Sequence, residues 1–304
     1  MKIADKNILC IGEVLWDVLP TGRKPGGAPM NVALHLSRLG NSVQIASRVG
    51  VDRDGEDLTN FILEQGLGTS QIQLDPELPT SEVFVKLDTK NNAKFEIPGP
   101  VAWDNIKYTA ALQDLSQSVG LIVYGTLGSR NTTTRESIIK TLKSEALKLI
   151  DVNLRSPYTK KSIVIELLLM ADIAKLNDDE LHIIAGWDGK EAKDETELME
   201  WIVKQYKLKM IVVTKGDKGA ILFDKEEDAF HQHNGYTIQV ADTVGAGDAF
   251  LAGLISSILK GKSPDEALGF ACATGAFVAS QSGATPNYQY SDISEILKQN
   301  NSNS

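Results

Sequence analysis

Asp242-Thr243-Val244-Gly245-Ala246-Gly247-Asp248-Ala249-Phe250 sets two glycines and an acid just ahead of an apolar run, Leu251-Ala252-Gly253-Leu254-Ile255. The run reads as a helix. A helix start offers unpaired backbone N–H groups and the positive end of a dipole. Glycines let an anion such as a phosphate come close to that backbone. Asp248 then stands where a transferring phosphoryl group would meet its acceptor. The same residues also make an ordinary capped helix, because Asp is favoured at such positions.

Other constellations invite a double reading. Pro25-Gly26-Gly27-Ala28-Pro29-Met30-Asn31 joins the first strand region to a helix. Gly26 and Gly27 allow close approach of a ligand or a hinge, and the Asn31 amide can both donate to and accept from hydroxyl groups. Asp17 follows the first strand, at the strand end where α/β sheets bind ligands. Asn177 and Glu180 lie three apart at another strand end, so they share a helix face. Their oxygens suit Mg²⁺ held through water, and equally a capping box with Asn177 as N-cap. Thr214-Lys215-Gly216-Asp217-Lys218-Gly219 reads as a tight hairpin whose glycines could also lie against a nucleotide.

Several familiar sites are excluded. Gly261-Lys262-Ser263 ends like a P-loop, but Ser256 stands where its first glycine belongs and a helix precedes it. No G-x-G-x-x-G follows a strand, which removes a Rossmann dinucleotide site. His35, His182, His231 and His233 show no metal spacing, and His231 and His233 are expected in a polar, solvated loop.

The elements that must hold these residues alternate. Strands are expected at Ile8–Ile11, Leu121–Tyr124, Leu147–Asp151, Asp172–Leu176 and Met210–Thr214. Helices are expected at Met30–Leu39, Arg135–Ser144, Ser162–Met170, Asp178–Ala185 and Glu195–Tyr206. Such interleaving implies an α/β fold with a mostly parallel, buried sheet. Ser81–Leu87 and Ala93–Ile97 alternate apolar and polar residues around Asp88–Asn92, which suits a hairpin. It forms either a small flap or an antiparallel edge of the main sheet. The last third is expected as helices Gly247–Leu259, Asp265–Ser280 and Asp292–Gln299, with Ser263 capping at Pro264. The tail from Asn300 to Ser304 is expected to fray.

The 304 residues suffice for one large α/β domain, and a 42% hydrophobic, 23% charged composition matches a globular protein with a sizeable core. A net charge of −9 argues against nucleic acid or an anionic membrane as partner. Cys10 and Cys272 sit in apolar contexts as free thiols, and no apolar run reaches transmembrane length. The cytoplasm is the expected location.

Taken together, these segments resemble the PfkB (ribokinase-like) family of carbohydrate kinases, from about Ile8 to Pro286. The resemblance implies a single doubly wound α/β domain over 1–304, with a small β-sheet lid formed by about 13–25 and 81–100. It implies transfer of the γ-phosphoryl of ATP to a sugar hydroxyl. Asp248 would be the base and Gly245, Ala246 and Gly247 the anion hole. Asp17, Gly26, Gly27 and Asn31 would hold the sugar, and Thr214, Gly216 and Gly219 the nucleotide. Asn177 and Glu180 would help hold Mg²⁺ through water. Asp242, Val244 and backbone near Gly283 match a monovalent-cation site, for K⁺. Lid hairpins in this family often pair across a homodimer, and a face with Val83, Val85 and Leu87 would suit that. Gly12–Pro20, Gly26–Ala33 and Asp151-Val152-Asn153-Leu154-Arg155 look most like fructokinases. Val152 departs from a usual proline, Cys272 from a frequent Asn, and Asn287-Tyr288 from a usual proline-ending segment. Two other readings stand beside fructose. One is a 2-keto-3-deoxygluconate kinase, its substrate carboxylate met by Arg130 or Arg155. The other is a silent sugar or nucleotide sensor on the same fold.

Overall fold

The computed structural model describes residues 7–19, 22–87 and 93–300. The chain starts with β1 (Ile8–Ile11), leaves it through β2 (Leu15–Leu19) and β3 (Gly22–Gly26), and enters α1 (Ala28–Arg38). Next come β4 (Val43–Gly50), α2 (Arg53–Glu64), β5 (Ile72–Asp75), β6 (Glu82–Leu87) and β7 (Ala93–Glu96). A βα succession follows: α3 (Ala110–Ser118), β8 (Leu121–Gly125), α4 (Thr132–Thr141), β9 (Leu147–Asp151), α5 (Lys161–Leu168), β10 (Ile173–Asn177) and α6 (Asp178–Gly186). Then come α7 (Glu195–Tyr206), β11 (Met210–Thr214), β12 (Ala220–Asp224), β13 (Ala229–His233), α8 (Ala246–Leu259), α9 (Pro264–Ala279) and α10 (Tyr290–Asn300).

Nine strands form the main sheet, in the order β13-β12-β11-β10-β9-β8-β1-β4-β5. All pairs are parallel except β11 with β12 and β12 with β13. Successive residues of a strand face opposite sides, and β1 shows the consequence. Ile8 and Cys10 enter one core with α1, α2, α8, α9 and α10, while Leu9 and Ile11 enter the other with α3 to α7. Helices therefore cover both faces, which is why the strands are apolar on both sides.

A second sheet of four strands has the order β3-β2-β6-β7. The alternating hairpin of the sequence is thus part of a separate small sheet, not an edge of the main one. Its turn, 88–92, lies outside the described residues. Val83 is buried with Leu15, Ile97 and Trp103, so it is spent inside the molecule and not on an outward apolar face; Phe84, pointing the other way, is 38% exposed.

Three expectations need correction. His231 and His233 lie on strand β13, not in a loop, and His231 Nδ1 is 3.0 Å from Asp265 Oδ1 and its Nε2 3.3 Å from Glu227. Helix α4 starts at Thr132, three residues early, because the Asn131 side chain accepts from Thr133 N–H and caps it there. Asn300 closes α10 rather than joining a frayed tail, while 301–304 lie outside the described residues. Ser263 does cap α9, with Glu266 completing the box. Both cysteines are free and buried. No helix among the described residues is long and apolar enough to cross a membrane.

Candidate active site

The parallel strands deliver their carboxyl ends to one edge of the sheet, and the first turn of α8 faces that edge. Gly245 is the N-cap of α8 with φ 77°, and a Cβ there would come within 2.5 Å of the Ala284 carbonyl oxygen. Only glycine suits both demands. The Ala246 N–H closes a turn on the Thr243 carbonyl at 3.3 Å, a long bond. Asp248 follows in the first turn and is buried. Asn31, four residues past the α1 N-cap, donates from Nδ2 to Asp248 Oδ2 at 2.8 Å. The two most motif-like segments, 217 residues apart, thus meet in one hydrogen bond.

Burial raises the Asp248 pKa to about 6, and Asp151 adds to the rise; Asn31, Lys175 and Arg155 pull it back. The surroundings are densely charged. Asp151 and Lys175 are direct neighbours in the β9–β10 register, and Lys175 Nζ sits 3.0 Å from Asp151 Oδ1, both side chains buried. Burial works against the Lys175 charge, but Asp151, Glu180 and Asp248 overcome it and raise the pKa. The ammonium lies 3.3 Å from where a Cβ on Gly247 would stand, so that glycine also makes room for a buried cation.

Asp17 lies on β2, where burial raises its carboxyl to about 6 against the pull of Arg155. A side chain on Gly26 would collide with the Asp17 carboxylate, and one on Gly27 (φ 114°) with the Glu13 carbonyl. Asp17, Gly26, Gly27, Asn31 and Asp248 therefore form one continuous surface, with Arg155 coupled to both acids.

The capping-box reading of Asn177 and Glu180 holds in full. Asn177 Oδ1 accepts from Glu180 N–H at 2.8 Å, and Glu180 Oε2 accepts from Asn177 N–H at 2.9 Å. The other Glu180 oxygen accepts from Leu154 N–H at 2.6 Å. Burial, then Asp151, raises the Glu180 pKa. Among the described residues no cluster of three His, Cys, Asp or Glu is arranged to bind a metal directly. Asp242 Oδ1 accepts from Val244 N–H at 3.0 Å and Oδ2 from Gly283 N–H at 3.1 Å, so these three do come together. Thr214 ends β11, its hydroxyl on the Leu176 carbonyl at 3.3 Å. Gly216 and Gly219 take φ 60° and 81° in the turn to β12, beyond the sheet edge that carries Asn177.

Two buried ionisable residues at this edge were not among the expected site residues. Glu13 is 3% exposed, burial lifts it to about 7, and its Oε2 has no hydrogen-bond partner among the described residues. It lines a cavity of about 10 Å³ with Asp151 and Asn153, the scale of a single water. Lys175 is the other. Its one signal in the sequence is a lysine inside an otherwise apolar parallel strand. Arg130, by contrast, is committed elsewhere: its Nη2 bonds Asp104 Oδ2 at 2.7 Å, and its guanidinium stacks on Trp103 and Tyr158.

Two of the three departures from the resemblance, Val152 and Tyr288, also find physical reasons. Val152 gives its N–H to the Lys175 carbonyl at 3.0 Å, a bond proline cannot make. Tyr288 bonds His35 Nδ1 at 3.0 Å and stacks on that ring, while His35 Nε2 bonds the Ala284 carbonyl at 2.9 Å. Burial lowers the His35 pKa to about 4, so the ring is neutral, with Nε2 donating and Nδ1 accepting.

The pfkB family carbohydrate kinase model matches residues 2–289. The chain belongs to the pfkB family. A fructokinase-2 of Solanum lycopersicum is 30% identical over 310 residues, covering 92% of each chain. A probable chloroplastic fructokinase-6 of Arabidopsis thaliana is 29% identical, covering 92% of this chain and 79% of that one. Among solved structures, the Xylella fastidiosa fructokinase with bound ATP superposes with a TM-score of 0.83 at 23% identity, covering 98% of this chain and 99% of that one. A fructokinase double mutant from Vibrio cholerae O395, bound to fructose, ADP and potassium ion, reaches 0.81 at 23% identity, covering 97% and 99%. As a pfkB kinase the protein is a phosphotransferase acting on a sugar hydroxyl, and its small β2-β3-β6-β7 sheet stands apart from the ribokinase-like main sheet.

Proposed function

We propose that this protein is an ATP-dependent fructokinase, converting D-fructose and ATP to D-fructose 6-phosphate and ADP. The observation that carries the reading is the Asn31–Asp248 hydrogen bond, which sets the N-terminal Gly26–Asn31 segment on a buried acid in the first turn of α8. The sugar lies between Asp17, Gly26, Gly27 and Asn31, with one hydroxyl toward Asp248. That oxygen attacks the γ-phosphorus, the bond from phosphorus to the β,γ-bridging oxygen breaks, ADP leaves, and the hydroxyl proton passes to Asp248. Phosphoryl transfer asks mainly for alignment and charge stabilisation. A carboxylate lifted to about 6 is a better base than a solvated Asp and is still mostly ionised at neutral pH. Gly245, Ala246 and Gly247 form the anion hole; the long Ala246–Thr243 bond is one an anion can displace. Thr214, Gly216 and Gly219 line the nucleotide.

Mg²⁺ fits this site only through water, because three oxygens of Asn177 and Glu180 already accept backbone N–H groups. It would neutralise phosphate charge there. For K⁺ the Asp242, Val244 and Gly283 cluster is the place. The whole chain acts as one domain whose four-stranded sheet, with about 13–25 and 81–100, closes as a lid and excludes water. The outer lid face with Phe84 is where a second copy would pair, which sedimentation velocity resolves. Two buried free thiols suit a reducing compartment such as the cytoplasm.

A sugar panel with ATP and Mg²⁺, read by ADP release, tests the reading. Fructose is expected to give the highest kcat/KM. Faster turnover of 2-keto-3-deoxygluconate would favour the sugar-acid alternative, for which Arg155 is the cation at the site. Sugar binding by calorimetry with no turnover would make the protein a sensor.

A further inference from the structure

The mechanism above gives the small sheet one polar role, through Asp17. The strand beside it carries a second charge. In the antiparallel β2–β3 pair, Lys24 lies directly opposite Asp17, and directly opposed residues project from the same face. Gly26, which presses against the Asp17 carboxylate, shows that this face is the one turned to the sugar surface. Lys24 does not pair with Asp17. Its ammonium reaches past it to the 282–283 turn, 3.4 Å from Ser282 Oγ and 3.3 Å from where a Cβ on Gly283 would stand.

That turn forms the wall of the phosphate end. Ala284 packs on Gly245, the N-cap of α8, and Asp242 holds the Gly283 N–H. Both Asp242 oxygens are taken by backbone N–H groups, and Asp17 is drawn to Arg155. Among the described residues the only polar partner of Lys24 is the Ser282 hydroxyl, at the outer limit of a hydrogen bond. The Lys24 residue is partly buried but its ammonium and Ser282 are open to solvent; a cation with so weak a protein partner, next to a helix start that can bind an anion, is poised for a stronger one.

We propose that Lys24 is a further catalytic residue, which leaves Ser282 to contact the γ-phosphate of ATP when sugar and nucleotide are bound. The proposal rests on the sugar-kinase reading of the site. Asp17 and Lys24 then make one strand pair that grips the acceptor with one residue and the transferring group with the other. Charge on the γ-phosphoryl oxygens is stabilised by a cation delivered only with the lid. Sugar capture therefore gates phosphate stabilisation, which suppresses transfer to water.

Lys24→Met keeps the length of the side chain and removes its charge; Lys24→Arg restores the charge. Two measurements decide. In turnover with fructose, Lys24→Met is expected to lower kcat by roughly 10- to 100-fold and raise KM for ATP, with fructose affinity within twofold of wild type; Lys24→Arg recovers part of the loss. In calorimetry with fructose present, Lys24→Met is expected to weaken a non-hydrolysable ATP analogue roughly tenfold, the scale of one charge-assisted contact, and ADP hardly at all. Equal loss for both nucleotides, or no loss for either, overturns the proposal. If the wild type turns over no sugar, the sugar-kinase reading fails by itself, and the nucleotide comparison still judges Lys24.

Discussion

Asp248 illustrates how one buried residue carries opposite demands. Burial raises its proton affinity, which would serve the proposed base role, and penalises its charge in the folded protein. For activity, kcat/KM for sugar should rise with pH through an inflection near 6, as the base loses its proton. Asp248→Asn, which cannot accept a proton, is expected to lose at least about 100-fold in kcat, the low end of general-base contributions. Near-wild-type turnover would remove Asp248 from the role. For stability the sign runs the other way. A folded pKa raised from 3.8 to about 6 means the folded state binds its proton more tightly than the unfolded one. Stability then falls as pH rises from about 4, and the penalty is complete above about 6. Asp248→Asn should therefore melt at a higher temperature than wild type at pH 8, with the advantage vanishing near pH 4. A melting-temperature series over that range checks it.

At the scale of elements, a few backbone positions set where the site residues stand. Gly245 is the sharpest, since a side chain there meets both a positive φ and the Ala284 backbone. Gly245→Ala is expected to cut kcat by more than tenfold and lower the melting temperature. Gly261 has φ 70° with nothing within 4 Å of an added Cβ, so Gly261→Ala should carry strain alone and leave turnover unchanged. Equal activity loss in the two variants would mean that the crowding at Ala284 is irrelevant. Some of these elements were legible beforehand and some were not. Helix α7 and strand β11 lie where their apolar periodicity predicts, Glu195–Tyr206 and Met210–Thr214. Strand β13 was hidden because its Ala-Phe-His-Gln-His pattern looks like solvated loop; of the two carboxylates beside His231, Glu227 is four residues away but Asp265 comes from α9, which no local pattern encodes. Asn177 and Glu180 fit a capping box and a metal role with the same residue types, so spacing could not separate the two. Asp248 and Asn31 announced themselves through glycine-rich turns, and Asp17 through its place after the first strand. Lys175 did not, and Glu13 did so only as part of the family-like segment Gly12–Pro20, because burial of a charge has no spacing signature and becomes visible only once its neighbours are in place.

Across the whole molecule, the small sheet is tied to the body by charge. Arg23 on β3 pairs with Asp54 and Asp57 of α2, the latter at 2.8 Å, and its guanidinium stacks on Trp16. The Trp16 indole N–H donates to the Asp54 carbonyl at 3.0 Å. The Arg23 pairs are solvent-exposed, so salt screens them. Raising NaCl to about 0.5 M should increase KM for sugar severalfold with a smaller change in kcat, and Arg23→Ala should have the same effect without added salt and lose the salt dependence. A KM for Arg23→Ala that still climbs with salt would place the sensitive contact elsewhere. The contacts that complete the site share another property, their span along the chain. Asn31 to Asp248 bridges 217 residues, His35 to Ala284 bridges 249, and Lys24 to Ser282 bridges 258. Closing such loops is slow and comes late in folding. During synthesis the sugar-facing loop and α1 leave the ribosome long before the segment that must dock on them. An unfinished chain can settle its early strands, yet it lacks Asp248 and the start of α8, so on the proposed mechanism it cannot yet transfer a phosphoryl group.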